Sequence, residues 1–346
     1  MSVSRRKFIT GGLAAAGTAA LGGLGLVRNA FAAGAPDRSN GITADTPGGM
    51  ARYVELERTG ELARREEQLW AMFDPCELCP RKCLSNRAAG RPGVCSATQH
   101  AAVASFGPHH GEEGPLRGTR GSGTIFFSNC NLLCVFCQNW QIAHRGDGTL
   151  ISHDDLANMM LDLQRRGCHN VNFVTPTHLV PHIVRALRIA IPRGLHVPLL
   201  YNTGAYDSLE VIRLLDGIID IYLPDFKFQD ASFAARFAQA PDYPIHAAAA
   251  IREMHRQVGT LQISGGVAQR GLLIRHLVMP ENTAGTDAFV RWVASELGTD
   301  THVNIMSQYR PMFRANEYPP LNRRLTQAEF SQAMAWARGA GLHNFH

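Results

Sequence analysis

The sequence predicts an α/β protein: a partial barrel of six strand–helix units preceded by a small cysteine-rich module. Two observations support this prediction. From residue 124 onward, short apolar segments alternate with longer amphipathic ones, as in sheets of parallel strands connected by helices. Seven of the eight cysteines lie between Cys76 and Cys137, in a region rich in glycine and proline. The chain has 346 residues, 45% hydrophobic and 18% charged, which excludes a disordered or multi-span membrane protein.

The first 32 residues resemble a twin-arginine (Tat) signal peptide. Arg5 and Arg6 precede a weakly hydrophobic, uncharged run over 11–27, and Ala30-Phe31-Ala32 offers a small-x-small cleavage site. We expect the Tat translocon to export the protein to a periplasmic or other extracytoplasmic space, and a cytoplasmic location if the signal is not functional. The alternative is an uncleaved anchor or an ordinary amphipathic terminus. The other residues hold 30 basic and 29 acidic side chains, a balance that gives no support for nucleic-acid binding.

Changes in composition divide the chain after this segment. Residues 33–75 are expected to form a linker and an N-terminal helix: the linker is rich in Gly, Pro, Asp and Thr, and Tyr53–Phe73 is charged and amphipathic. The cysteine-rich, metal-binding module is expected over residues 76–121. The core domain, which ends in a C-terminal helix, is expected over residues 122–346.

Within the core domain, the pattern predicts six strands separated by helices. The predicted strands are Thr124–Ser128, Asn170–Thr175, Val197–Asn202, Ile218–Pro224, Gly271–Val278 and His302–Met306. The predicted helices include His153–Arg166, Leu179–Ile191, Ser208–Leu215, Thr286–Leu297 and Thr326–Gly339. Strand–helix alternation implies parallel strands with crossover helices. Six units are fewer than the eight of a closed TIM barrel, so we expect a partial (βα)6 TIM-like barrel with its site at the carboxyl ends of the strands.

Three cysteines with the spacing C-x3-C-x2-C follow the first predicted strand. They are Cys130, Cys134 and Cys137. Three thiolates on a short loop can bind three irons of a 4Fe–4S cluster, which leaves the fourth iron open to a small molecule. The cysteines alone leave open a zinc site, or a disulfide pair with one free thiol. The preceding strand, Phe136 just before the third cysteine and the six strand–helix units favour the cluster.

This loop, placed after the first strand of the barrel, resembles that of the radical S-adenosylmethionine (SAM) superfamily. The wider sequence is similar to a group within it that is related to pyruvate formate-lyase activating enzyme and has no assigned substrate. The matching segments are residues 79–83, 111–118, 121–139, 172–178, 201–206, 222–227, 274–278 and 306–309. The resemblance therefore spans about residues 76 to 340 and implies a partial barrel of the radical SAM type.

The resemblance implies a SAM-cleaving enzyme. In this superfamily the free iron binds the amino and carboxylate groups of SAM. One electron from a low-potential donor then cleaves SAM to methionine and a 5′-deoxyadenosyl radical, which abstracts a substrate hydrogen. Likeness to activating enzymes suggests abstraction from a protein glycine, and a small-molecule substrate stays open. The alternative from another class is an exported, non-catalytic iron–sulfur protein that transfers electrons or assists metalloenzyme assembly.

Residues that follow the predicted strands are candidates for binding SAM. Thr175, Thr177 and His178 follow the second strand, and Asn202 ends the third, where it could hydrogen-bond the ribose. Well-known activating enzymes have Gly-Gly-Glu after the second strand. In this chain the hydroxyls or carbonyls of Thr175-Pro176-Thr177 would have to contact the SAM ammonium group instead. Weaker candidates at the same edge are Asp225, Lys227, His276, Met279, Gln308 and Tyr309. Residues 109–113, with two histidines and two glutamates, are interpreted as an exposed turn.

Four further cysteines have the spacing C-x2-C-x3-C-x11-C. They are Cys76, Cys79, Cys83 and Cys95. A small segment rich in glycine and proline has too little apolar mass to fold unaided, so we expect a second metal site. Closed zinc sites and iron–sulfur clusters both use four thiolates, and the two stay open, with a pair of disulfides as a third alternative. Cys168 is expected to be a buried small residue at a helix–strand junction.

Overall fold

The computed structural model describes residues 51–346, so the signal peptide and linker predicted before Ala51 lie outside the described residues. The charged stretch expected as one helix forms two, α1 (Arg52–Arg58) and α2 (Glu61–Ala71). Gly60 separates them with a left-handed φ of 77°, a conformation that ends one helix and starts the next at little cost for glycine. The prediction of a single helix there is wrong for this reason.

In the described residues, nine strands form one sheet. They are β1 (Ala101–His109), β2 (Ser122–Phe127), β3 (Thr149–Ile151), β4 (Val171–Val174), β5 (Leu199–Thr203), β6 (Ile221–Pro224), β7 (Gln262–Ser264), β8 (Val267–Leu277) and β9 (His302–Met306). The order is β3-β1-β2-β4-β5-β6-β8-β7, and β9 pairs with β8. Every pair along β2-β4-β5-β6-β8-β9 is parallel. These six strands are the predicted ones, so the α/β fold with a partial parallel barrel is confirmed.

Nine further helices of the described residues lie between the strands or after the last one, and five of them match predicted helices. They are α3 (Gly114–Arg117), α4 (Trp140–Ala143), α5 (His153–Arg165), α6 (Val180–Ala190), α7 (Leu209–Leu214), α8 (Ala231–Ala238), α9 (Tyr243–Val258), α10 (Thr286–Glu296) and α11 (Gln327–Gly339). Single 3₁₀ turns cover Thr177–Leu179, Ile191–Arg193, Pro280–Asn282 and Ala315–Glu317. A capping box between Ser152 and Asp155 begins α5, and one between Thr326 and Glu329 begins α11. No helix among residues 51–346 has both the length and the apolar character needed to cross a membrane.

The strand register separates two faces of the sheet. Alternate residues such as Phe173, Tyr201 and Ile274 belong to the main core, where the helices pack. The opposite face carries a smaller apolar cluster that includes Leu116, Leu200, Ile221, Leu223 and Leu273. Further toward the carboxyl ends, the same face presents Asn202, which is aligned with Leu223, and then Asp225, which is aligned with Arg275. These polar side chains therefore lie on the same face of the sheet as the smaller apolar cluster, nearer the carboxyl ends of the strands.

Candidate active site

The loop between β2 and α4 holds three cysteines at the carboxyl end of the first parallel strand. They are Cys130, Cys134 and Cys137. Asn129 starts the loop with φ 73°, and its N–H donates to the Ile142 carbonyl at 2.9 Å. The Val135 N–H donates to the Phe237 carbonyl at 2.9 Å, at the end of α8. Backbone hydrogen bonds on both sides therefore fix the loop in place.

Side chains around the loop leave it little freedom. Phe136 is buried and packs against the rings of Phe228 and Tyr309, with centroid distances of 5.9 and 6.3 Å. On the other side the loop lies against Gly204. A Cβ atom there would approach Leu132 Cδ1 to 2.9 Å, so a larger residue just after β5 would require the Leu132 side chain to move. Phe136, the aromatic residue noted from the sequence before the third cysteine, therefore helps to fix the loop by packing against the core.

The three thiols lie in a low-dielectric setting with one nearby cation. Burial raises the pKa of Cys130 to about 12 and also raises the pKa values of Cys134 and Cys137. The ammonium of Lys227 acts in the opposite direction on all three. Buried thiols of this kind stay protonated until a metal ion replaces the protons, because the thiolate is the metal ligand.

The donor set fits an iron–sulfur cluster with an open iron. All eight cysteines are free thiols. Within residues 51–346, no three His, Cys, Asp or Glu side chains gather around a single metal-ion position. A cubane cluster does not require that arrangement, since each of its thiolates binds a different iron. Three thiols on one loop suit such a cluster, and the half-buried Lys227 ammonium beside them would offset part of its negative charge.

A network of charges connects this loop to the inner face of the sheet. Lys227 Nζ donates to Asp225 Oδ2 at 2.8 Å, and Asp225 Oδ1 accepts from Arg275 Nε at 2.6 Å. Arg275 Nη2 donates to Asn202 Oδ1 at 2.6 Å, and Arg275 Nη1 lies 3.4 Å from Glu112 Oε2. Burial opposes the charge on Lys227, but Asp225 outweighs it and the pKa of Lys227 is raised. Both cations therefore stay charged.

Asn202 is one of two predicted SAM residues with a buried nitrogen that has no hydrogen-bond partner among the described residues, the other being His178 through Nδ1. Its side chain is buried and points Oδ1 at Arg275, while Nδ2 is buried without a hydrogen-bond partner among the described residues. A buried amide donor without a partner costs about 1–3 kcal/mol. The group is therefore available to a ligand acceptor such as a ribose hydroxyl. Thr175 lies beside it, with φ 59° and its N–H donating to the Asn202 carbonyl at 2.8 Å.

The other two predicted SAM residues have partners inside the protein. The Thr177 hydroxyl lies 3.1 Å from the Thr203 hydroxyl. His178 Nε2 lies 2.9 Å from the Ser128 carbonyl, two residues before the first cysteine of the loop. Burial, and then the nearby Arg87 charge, lowers the pKa of His178 to about 3, so the neutral imidazole donates to Ser128 at pH 7. These side chains support the turn after β4.

The remaining candidates divide between the network and the surrounding core. Asp225 and Lys227 belong to the network, whereas His276 lies on the opposite face of β8. There His276 contacts the Phe226 carbonyl and the Thr286 hydroxyl, at 2.8 and 2.9 Å. Met279 and Tyr309 are buried in the core and Gln308 is exposed. The exposed turn predicted over 109–113 is wrong in part, because β1 buries His109 and contact with Arg275 buries Glu112.

Sequence reasoning missed Arg275 as a member of the site. The sequence feature that could have indicated Arg275 is a charged residue inside a largely apolar strand, in the segment Leu273-Ile274-Arg275-His276-Leu277. Alternation along a strand places Arg275 and His276 on opposite faces, but it does not say which face is inside. Pairing of Asp225 with Arg275 resolves this, because it aligns two residues that are 50 positions apart.

The depressed pKa of His178 predicts a pH dependence of stability. The folded state keeps this imidazole neutral down to about pH 3, whereas the unfolded state binds a proton near pH 6.5. The free energy of unfolding should therefore fall as the pH drops from 6.5, by up to about 1.4 kcal/mol per pH unit for one such group. Urea unfolding at pH 7, 6 and 5 should show a shallower dependence in His178→Gln. The exposed-site variant His196→Gln should match the parent, and equal slopes in all three proteins would contradict the assignment.

Comparison with known proteins identifies the family. Residues 124–227 match the model of the radical SAM superfamily. An uncharacterized protein of Methanocaldococcus jannaschii is 33% identical over 281 residues, which cover 78% of this chain and 76% of that protein. The chain belongs to the radical SAM superfamily. It is thus a radical SAM enzyme, and membership implies a 4Fe–4S cluster, SAM and a reductant that donates electrons. A solved radical SAM methyltransferase from Sphaerobacter thermophilus aligns with 86% of this chain and 94% of its own, at 15% identity and a TM-score of 0.44.

Proposed function

We propose that Cys130, Cys134 and Cys137 bind the 4Fe–4S cluster of this radical SAM enzyme. The observation that carries the proposal is their place on one loop at the carboxyl end of β2, with the Lys227 ammonium acting on all three sulfurs. When bound, the cluster supplies the electron that cleaves SAM to methionine and a 5′-deoxyadenosyl radical for hydrogen abstraction.

The chain's own residues hold and orient SAM in this proposal. Lys227 offsets the negative charge of the thiolates, and Asp225 fixes its position through the 2.8 Å hydrogen bond. Asn202 offers its buried amide donor to a ribose oxygen, and Arg275 holds that amide in orientation. Thr175, whose N–H donates to the Asn202 carbonyl, offers its hydroxyl to the SAM ammonium, while Thr177 and His178 position the turn. The packed loop also limits access of water to the reacting groups.

For the substrate, we propose a protein glycine, as expected from the resemblance to pyruvate formate-lyase activating enzyme. The resemblance rests on segments across residues 76–340 and includes the loop through Asn139. A small-molecule substrate is the second candidate. We further propose export by the Tat pathway, from Arg5-Arg6 and Ala30-Phe31-Ala32. That signal also supports the rival function of an exported iron–sulfur electron carrier, which would bind no SAM.

Product analysis tests the proposed activity. The protein, reconstituted anaerobically with iron and sulfide, is incubated with SAM and dithionite, and 5′-deoxyadenosine and methionine are quantified by mass spectrometry. Reductive cleavage predicts both products in equal amounts, and none without dithionite. Cluster-loaded protein that forms neither product would overturn the proposal and favour the electron carrier.

A further inference from the structure

A fully buried arginine lies in the cysteine-rich segment. Arg87 Nε and Nη2 donate to the Thr98 carbonyl at 3.2 and 3.0 Å, and Nη1 donates to the His178 carbonyl at 2.8 Å. Nη1 also lies 3.8 Å from Cys76 Sγ, and the guanidinium stacks over the Phe73 ring at 4.3 Å. Among the described residues none of these partners is a carboxylate. Burying a cation without a counter-charge costs several kcal/mol, so a negative charge is expected nearby.

The groups around Arg87 that can become negative are thiols. Cys83 Sγ and Cys95 Sγ both lie 3.4 Å from the point that a Cβ atom on Gly93 would occupy, so the two sulfurs face the same small space. Cys76 interacts electrostatically with Cys79, Cys83 and Cys95. Arg87 acts on Cys95 as well as on Cys76. The fold therefore gathers all four cysteines beside one buried cation.

The backbone around these cysteines is strained in a way that metal ligation explains. Residues 76–100 form turns and irregular structure, without a helix or strand in this stretch. Lys82, Leu84 and Ser96 have positive φ values of 38°, 52° and 65°, and each adjoins Cys83 or Cys95. Such conformations cost of order 1–3 kcal/mol each and persist where stronger interactions impose them. Leu84 is 57% exposed, so apolar packing does not impose its conformation.

We propose that Cys76, Cys79, Cys83 and Cys95 form a second metal centre, a tetrathiolate with Arg87 as its internal counter-cation. No three His, Cys, Asp or Glu side chains in residues 51–346 meet at a single metal-ion position, so the four thiols suit an oxidised 4Fe–4S core, which binds each thiolate at a different iron, better than one Zn²⁺. Four thiolates around that core leave a net negative charge. That charge is what the buried guanidinium requires. The centre goes beyond the proposed function, which uses only the other three cysteines.

The second centre adjoins the first cysteine loop. Arg81, two residues after Cys79, donates from Nε to the Asn131 carbonyl at 3.0 Å, and Asn131 follows Cys130 in the loop. Arg87 reaches the His178 carbonyl, and His178 in turn holds Ser128 at the start of that loop. Metal at the second centre thereby stabilises the position of the loop that carries Cys130.

Metal analysis of the full chain, purified anaerobically, tests the inference and identifies the metal. Iron, zinc and acid-labile sulfide are measured in the parent, in Cys79→Ser, in Cys95→Ser and in the control Cys168→Ser. We expect both module variants to lose about four irons per chain and to keep about four irons at the other site, whereas loss of about one zinc instead would overturn the assignment of a cluster. Cys168→Ser should keep both clusters. Module variants that remain folded by circular dichroism with the parent's metal content would overturn the proposal.

Two further measurements keep the result independent of SAM cleavage and of variant folding. Titration of thiols in the denatured, demetallated parent should find all eight cysteines reduced; four missing thiols would show disulfides and overturn the proposal.

Competition with a chelator should show that Arg87→Met weakens metal binding at the module by about 10–100-fold, as for other groups outside the ligand shell. Arg87→Lys should recover part of that affinity, and an unchanged affinity in Arg87→Met would remove the role of Arg87.

Discussion

Replacing Cys134 with alanine is expected to reduce SAM cleavage below about one hundredth of the parent rate, because losing a ligand should exceed the 10–100-fold effect of losing an outer partner. Cys134 is the buried middle member of the three-cysteine loop, and a cluster left with two thiolates has two exposed irons. The measurement is formation of 5′-deoxyadenosine, with iron content determined on the same sample.

The matched control for Cys134→Ala is Cys168→Ala. Cys168 is also buried and also a free thiol, but it lies near Gly123 at the start of β2, whose Cβ would meet Cys168 Cβ at 3.1 Å. This variant should retain its iron and its cleavage activity. Parent-level cleavage by Cys134→Ala, or loss of the cluster from Cys168→Ala, would contradict the ligand set.

The second large effect is expected on stability. Arg275→Met removes a buried cation whose side chain is only 3% exposed and which contacts Asp225, Glu112 and Asn202. Removing one side of a buried ion pair deprives Glu112 and Asp225 of the guanidinium charge, although Asp225 keeps its hydrogen bond with Lys227, and the expected cost is about 3–5 kcal/mol. Urea unfolding at pH 7 measures the change in the free energy of unfolding. The same variant should weaken SAM binding, since Asn202 loses the group that orients its amide.

A surface arginine provides the comparison for Arg275→Met. Arg252 pairs with Glu296 at 3.0 Å, and both side chains are nearly half-exposed, at 47% and 43%. Exposed pairs contribute about 0–1 kcal/mol, so Arg252→Met should be nearly neutral. If the two variants lose the same stability, the buried network does not have the energetic role assigned to it.

Most of the parallel strands could be predicted from sequence because they are short and largely apolar. Val171–Val174 and Ile221–Pro224 are buried along their whole length, as expected for strands covered on both faces. The antiparallel strands β1, β3 and β7 were missed for different reasons. Strand β1 contains Gly107 and Pro108, which indicate a loop, and the other two have three residues each, too few for a periodic pattern.

The candidate site could be predicted only where its members are close in sequence. Cys130, Cys134 and Cys137 share one loop, so their spacing alone suggests their chemistry. Arg275 joins Asp225 and Asn202 across 50 and 73 positions through strand register, which no local pattern encodes. Arg87 was missed likewise, because its burial depends on carbonyl contacts with Thr98 and His178. Local chemistry was therefore predictable, and the long-range partners were not.

The central claim is that the three-cysteine loop binds a 4Fe–4S cluster with an iron open to SAM. Anaerobic electron paramagnetic resonance of the reconstituted, dithionite-reduced protein, recorded with and without SAM, tests this most directly. The account predicts a reduced 4Fe–4S signal that shifts when SAM is added, and no SAM-dependent shift in Cys134→Ala. A cluster signal that SAM leaves unchanged in the parent protein would contradict the claim.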